Sequence, residues 1–334
     1  MPQTPLSIAL ILMCVGASTF VLVSYLMFIW WLDRYEREPL WLVLLVFIWG
    51  ALGGTCFSCI VNSSLQALIA ALTDPKMSKI IGTVVGAPVV EEFFKGIVFV
   101  PLLLFGNHID NRTDGLIYGA AVGLGFACLE NLAYYIQFAD QGVIQLIAVI
   151  LMRTMFTALV HCTSSAMLGM AIGYARHRSK GLDVLLWPLF GYGCAVLNHA
   201  IWNGLATASS VFTAFQGAGI LIGITMSLVV CAIMFLLTLL SLGEEHDVIK
   251  KYLLKEAELG TIDPAHAEII PYWLKRRRDD WLPPHIDKEA YIKAATLLAF
   301  RHNQQAVAHG TKRDAYTQDI AAFRQQLRQM RRVG

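Results

Sequence analysis

Seven apolar runs, each about twenty residues or longer, dominate this chain, near residues 6–30, 40–72, 80–105, 115–138, 142–175, 183–207 and 214–242. In hydrocarbon, every backbone N–H and C=O must find its partner within the protein, and segments of this length do so as helices. The sequence therefore reads as all-α, a polytopic transmembrane helix bundle. Run 40–72 contains Gly50, Gly53, Gly54, Asn62 and Ser63. It is either one tilted helix or two shorter pieces, which gives seven spans or eight.

Charge divides the chain. Residues 1–242 hold 10 Lys and Arg and 11 Asp and Glu, whereas residues 243–334 hold 16 and 13. The expected organisation is a multi-span membrane domain over 1–242 and a soluble, mostly helical C-terminal tail over 243–334. Tail helices are expected near 244–259, 286–308 and 312–332, punctuated by Pro264, Pro271, Pro283 and Pro284. The basic run KRRRDDW (275–281) is diluted by two aspartates and reads as a solvated face. No nucleic-acid module, phosphate-binding glycine loop or internal repeat is evident.

The first apolar run lacks a basic leader and exceeds a signal-peptide core, so it is expected to stay in the mature protein. Arg34, Arg37, Arg112, Arg176, Arg178 and Lys180 fall in one set of alternating loops, while the other set holds only Lys76 and Lys79. Basic residues favour the cytoplasmic side, so seven spans put the N-terminus outside and the tail in the cytosol. All seven cysteines lie in apolar runs, which argues against a disulfide framework. Cys56 and Cys59 form a CxxC with no second pair, and read as a small packing surface rather than a metal or redox site.

A carboxylate at bilayer depth costs about 2.5 kcal/mol or more, so an ionisable residue there points to function. Glu91, Glu92 and Lys95 lie deep in the third run, Glu130 in the fourth, Arg153 and His161 in the fifth and His199 in the sixth. At ~1.5 Å per residue, Glu91, Glu130, His161 and His199 all come roughly 20–24 Å from the cytoplasmic end of their helices. Four helices thus carry acid and imidazole groups to one level. Arg153 lies eight residues before His161 and is expected at the outer interface by snorkelling, with a role in holding substrate or the glutamate pair as the alternative.

Lys95 can reach Glu91 at i,i+4 or Glu92 at i,i+3. Charging Glu91, Glu92, Glu130 and Lys95 together leaves a net negative site that needs a divalent cation or protons. Pro88 removes a helical hydrogen bond to Val84 and should bend the third span. His199 and Asn203 share a helix face, where they suit oxyanion stabilisation or metal binding with Asn203 orienting the imidazole. Glu130 and Asn131 follow Gly115, Gly119 and Gly123, whose four-residue spacing suits close helix approach.

Five pieces together resemble the PrsW family of intramembrane proteases, which belongs with the CAAX-prenyl-protease-like membrane peptidases. They are DRYEREP (33–39), EEFFK (91–95), GLGFACLEN (123–131), RTMFTALVHCTSSAMLG (153–169) and NHAIWNG (198–204), in order over about residues 30–207. The resemblance implies catalytic Glu91 and Glu92, with His161 and His199 completing the site and Asn203 assisting. Lys95, Glu130, Asn131 and Arg153 are supporting candidates. Family members are classed as metalloproteases, so Zn²⁺ on His161, His199 and Glu91 is one option and glutamate-activated water with a His/Asn oxyanion hole the other. No compact zinc signature is present.

The expected function is hydrolysis of peptide bonds in membrane-embedded or membrane-proximal proteins, within the bilayer of a bacterial cytoplasmic membrane. Glu91 is favoured over Glu92 as the base because of its i,i+4 spacing from Lys95. The competing class is a proton- or cation-coupled transporter using the same carboxylates. A bis-histidine haem protein would leave the glutamates unexplained.

Overall fold

The computed structural model describes residues 8–105, 108–178, 181–212, 217–308 and 310–332. Lys180 and the side chain of Arg178, both used for the orientation argument, lie outside the described residues, as do residues 6–7 of the first apolar run and 214–216 of the last. The regular elements among the described residues are all helices, in chain order α1 (Ile8–Leu32), α2 (Leu40–Leu72), α3 (Pro75–Ile81), α4 (Ala87–Gly96), α5 (Phe99–Leu104), α6 (Arg112–Phe138), α7 (Val143–Arg176), α8 (Asp183–Val211) and α9 (Ala218–Glu258). Beyond them come α10 (Pro264–Ile269), α11 (Trp273–Arg276), α12 (Lys288–Val307) and α13 (Thr311–Arg332).

Among the described residues, six helices are long and apolar enough to cross a membrane: α1, α2, α6, α7, α8 and α9. Run 40–72 is one helix rather than two. The expected span at 80–105 is instead assembled from α3, a π-helical turn at Gly82–Gly86, α4 and α5. The backbone stays helical from Pro75 to Gly96, with the π-helical turn just ahead of Pro88, and is interrupted at Ile97–Val98. Pro88 has no N–H to give and its ring crowds the preceding turn, and the wider turn just before α4 accommodates both.

Two compact units emerge, Met1–Leu32 with Glu38–Leu237, and Asp33–Arg37 with Thr238–Gly334. The tail differs from expectation in two ways. The helix expected to begin near 244 is the end of α9, which runs unbroken through Gly243, and the short segment Asp33–Arg37 groups with the tail. Its own core contains Ile249, Leu253, Ile262, Tyr291, Leu298 and Leu327, with Tyr35 packed against it. Burial pushes the Tyr291 phenol up to about 12, and its hydroxyl hydrogen-bonds with His266 Nδ1 at 3.1 Å.

In the first unit α6 is the central element, buried continuously from Thr113 to Ala127. Its start is set by a capping box: Asn111 accepts from the Asp114 N–H at 3.0 Å, and Asp114 accepts in return from the Asn111 N–H. Gly115, Gly119 and Gly123 then line the contact with α7. A Cβ at these positions would run into the carbonyls of Gly169, Ser165 and His161 respectively, so the helices meet backbone to backbone, as the glycine spacing led one to expect. Cys56 and Cys59 do not form the packing surface expected of them, since both are free thiols on the exposed side of α2.

Close approach at Gly123 fixes where His161 sits. Gly123→Ala should therefore force α6 and α7 apart, destabilising the fold by about 1–3 kcal/mol and displacing His161. Thermal unfolding in detergent and a cleavage assay should both register the change. Gly16→Ala is the control, because a Cβ there meets nothing within 4 Å.

Candidate active site

The helices deliver one polar cluster. On α4, Glu91 and Glu92 are consecutive and so diverge by about 100°, and their surroundings differ completely. Glu92 is fully buried. It accepts from Lys95 Nζ at 2.7 Å and Ser165 Oγ at 3.0 Å, and lies 3.0 Å from His199 Nδ1. Glu91 faces a cavity of about 660 Å³. Its Oε1 accepts from Asn62 Nδ2 at 3.3 Å, while its Oε2, 3.8 Å from His199 Nε2, has no hydrogen-bond partner.

Lys95 sits beneath the site, also fully buried, with its ammonium 4.1 Å from the centre of the Phe126 ring and 2.9 Å from His161 Nδ1. An ammonium only donates, so Nδ1 accepts and a neutral His161 carries its proton on Nε2. His199 has the opposite tautomer. Its Nδ1 faces the Glu92 carboxylate, which only accepts, so the proton is on Nδ1 and the Nε2 lone pair is directed toward Glu91. The two rings stand edge to face, 4.7 Å apart.

Glu130 Oε2 lies 2.8 Å from both His161 Nε2 and Arg153 Nη2, though aligned for a hydrogen bond with neither. Arg153 does not reach away to an outer interface as expected. A π-helical turn at Arg153–Thr157 and the length of its side chain bring the guanidinium back over the Tyr134 ring at 3.7 Å, where Nε donates to Asn131 Oδ1 at 2.9 Å. Arg153 thus adds a second cation to the charge balance. Three carboxylates against Lys95 and Arg153 leave one negative charge rather than two.

Every residue expected at the site is close to it. Glu91, Glu130, Arg153, His161, His199 and Asn203 line the cavity, with Glu92, Lys95 and Asn131 behind them. The Asn203 amide is engaged elsewhere, donating to the Thr83 carbonyl at 3.0 Å in the π-helical turn ahead of α4. Two further residues went unassigned in the sequence. Ser165 lies four residues after His161, a spacing that puts both on one helix face, and Asn62 is an amide in the middle of an apolar run.

Glu91, His161 and His199 each offer a ligand atom, and these atoms lie within 4.8 Å of one another. Two imidazoles and a carboxylate with an unpartnered oxygen fit a divalent cation. A carboxylate behind His199 is the usual support for a ligating imidazole. His161 fits less freely, since an ion at Nε2 would have to displace the proton that Lys95 holds there.

The family model for PrsW family intramembrane metalloproteases matches residues 38–238, more than half of the chain. The chain belongs to this family. Protease PrsW of Geobacillus kaustophilus is 30% identical over 168 residues, covering 50% of this chain and 69% of that protein. Protease PrsW of Oceanobacillus iheyensis is 28% identical over 202 residues, covering 59% and 83%, and that of Bacillus subtilis 28% over 120 residues, covering 36% and 51%. No solved structure matches. The chain is thus a multi-pass integral membrane protease of the PrsW family, with bacterial relatives. The matched region spans the entire Glu–His cluster, which makes that cluster the candidate active site of a PrsW-family enzyme.

Proposed function

We propose that Glu91 is the general base of peptide-bond hydrolysis, and that Glu92 is the buried group that organises the site around it. The observation that carries this assignment is the difference between the two carboxylates. Glu92 has its full set of donors and does not line the cavity, whereas Glu91 lines it and its Oε2, buried in this structure, has no donor. A base must reach the water it deprotonates.

Opposite tautomers then give the histidines different tasks. His161 turns an Nε2–H into the site and donates it to the carbonyl oxygen as negative charge develops there. Arg153, beside it, adds positive charge at the same end. His199 presents a lone pair instead and holds the attacking water against Glu91. Glu91 takes one proton from that water, the water oxygen bonds to the carbonyl carbon, and the proton is later passed to the leaving amine. Asn203 anchors the turn that aims α4. Where Zn²⁺ is bound, Glu91, His161 and His199 are the residues that would hold it, and it supplies Lewis-acid polarisation of the carbonyl and of water.

The substrate is a membrane-embedded or membrane-proximal polypeptide. Lining residues Asn62, Gln66, Tyr134, Thr207, Ser210 and Gly219 all belong to the halves of their helices nearest Leu72, Phe138, Val211 and Ala218. The scissile segment enters from that end, which basic-residue bias puts on the outer side of the membrane.

His199→Ala tests this reading. Cleavage of a membrane-anchored reporter should fall by roughly 10²–10⁴-fold while the protein stays folded, and metal analysis of wild type and variant shows whether a bound ion leaves with the imidazole. Normal cleavage by His199→Ala would sink the proposal.

A further inference from the structure

Helix α2 carries Ser58, Asn62 and Gln66 four residues apart, a polar stripe on one helix face. The stripe faces the segment that bears the glutamates. Gln66 Nε2 donates to Ser78 Oγ at 2.7 Å, and Asn62 Nδ2 donates to Glu91 Oε1 at 3.3 Å. Asn62 is the one side chain that hydrogen-bonds Glu91 among the described residues, and it lines the same cavity.

Asn62 is poorly satisfied for a purely structural residue. Its Oδ1 is buried without a partner, and an unsatisfied buried acceptor weakens a fold. A leucine would exchange that orphan for another, because Glu91 Oε1 would lose its donor. What the amide does is hold one particular oxygen of one particular carboxylate.

We propose that Asn62 is a positioning residue for the reaction: by tying Glu91 Oε1 it fixes the carboxylate rotamer and leaves Oε2 as the oxygen that meets water. This rests on Glu91 being the base. A carboxylate free to rotate would present either oxygen at varying distance from the water, and misplacement by about 1 Å is enough for roughly a 10²-fold loss of rate. The Asn62 hydrogen bond is to the base rather than to substrate, so the effect belongs mainly in kcat.

The test uses the full-length protein and a fluorogenic single-span peptide that the wild type cleaves. Asn62→Leu is expected to lower kcat by about 10–100-fold with KM within about 3-fold, and to unfold at about the same temperature as wild type. Asn62→Gln, whose longer amide can still reach Glu91, should recover part of the rate. Ser58→Ala, which removes another buried unpartnered oxygen one turn away, should leave kcat unchanged. A purely structural role predicts loss of rate and of thermal stability together in Asn62→Leu, and that result overturns the proposal, as does wild-type kcat in Asn62→Leu. Glu91→Gln is measured alongside. If it cleaves normally, the assignment of the base itself has failed; if it is inactive while Asn62→Leu is fully active, only the positioning role has failed.

Discussion

Glu91→Gln is expected to leave a folded protein that no longer cleaves, with kcat lower by about 10²–10⁴-fold, the usual contribution of a positioned general base. Folding should survive because Glu91 contributes little to packing. Its Oε2 has no partner, its Oε1 keeps the Asn62 donor when the carboxylate becomes an amide with its oxygen in that place, and its environment opens onto a cavity. Removing the charge also relieves the net negative balance of the cluster, so thermal stability should stay level or rise. The measurement is a pair of numbers from one preparation, the reporter cleavage rate and the unfolding midpoint in detergent. A Glu91→Gln protein that cleaves at more than a tenth of the wild-type rate would remove Glu91 from the role of base.

Much of this arrangement was legible in the sequence because helices have a fixed rise. Counting residues from the span ends put Glu91, Glu130, His161 and His199 at one depth, and they are in contact or nearly so, with the two imidazoles 4.7 Å apart. The Gly115/Gly119/Gly123 spacing likewise foretold a backbone-to-backbone contact, since only glycine allows it. Sequence failed where the helix ceases to be regular. Arg153 was misplaced because a constant rise takes no account of a π-helical turn, nor of a long side chain that folds back to find a carboxylate. The same holds for the span at 80–105, where a π-helical turn ahead of Pro88 and an interruption at Ile97–Val98 divide one expected helix into pieces. Glu91 was preferred as base for a reason that does not hold. Lys95 was expected to favour the i,i+4 partner, yet it pairs with Glu92 at i,i+3. Spacing allows both contacts, and the choice between them is made by His161, His199 and Ser165, which arrive on other helices.

That choice leads to the second large effect. Glu92→Gln should be inactive as well, but for a different cause, and stability is the observable that separates the two variants. Glu92 and Lys95 are a buried pair with no exposed surface on either side chain. Removing one charge from such a pair strands the other, at a cost of about 3–5 kcal/mol. In Glu92→Gln the stranded group is the Lys95 ammonium, left with His161 Nδ1 and the Phe126 ring. His199 loses its charged partner in the same step, so its Nδ1 proton, and with it the direction of the Nε2 lone pair, is no longer fixed. Glu92→Gln should therefore unfold well below both wild type and Glu91→Gln. Adding Lys95→Met removes the stranded cation, and the double variant should regain stability relative to Glu92→Gln while remaining inactive, because paired burial of charge is often no more stable than a well-packed apolar replacement. A double variant that is less stable than either single one would mean that the two residues stabilise the bundle independently, and that Glu92 is not the charge on which Lys95 depends.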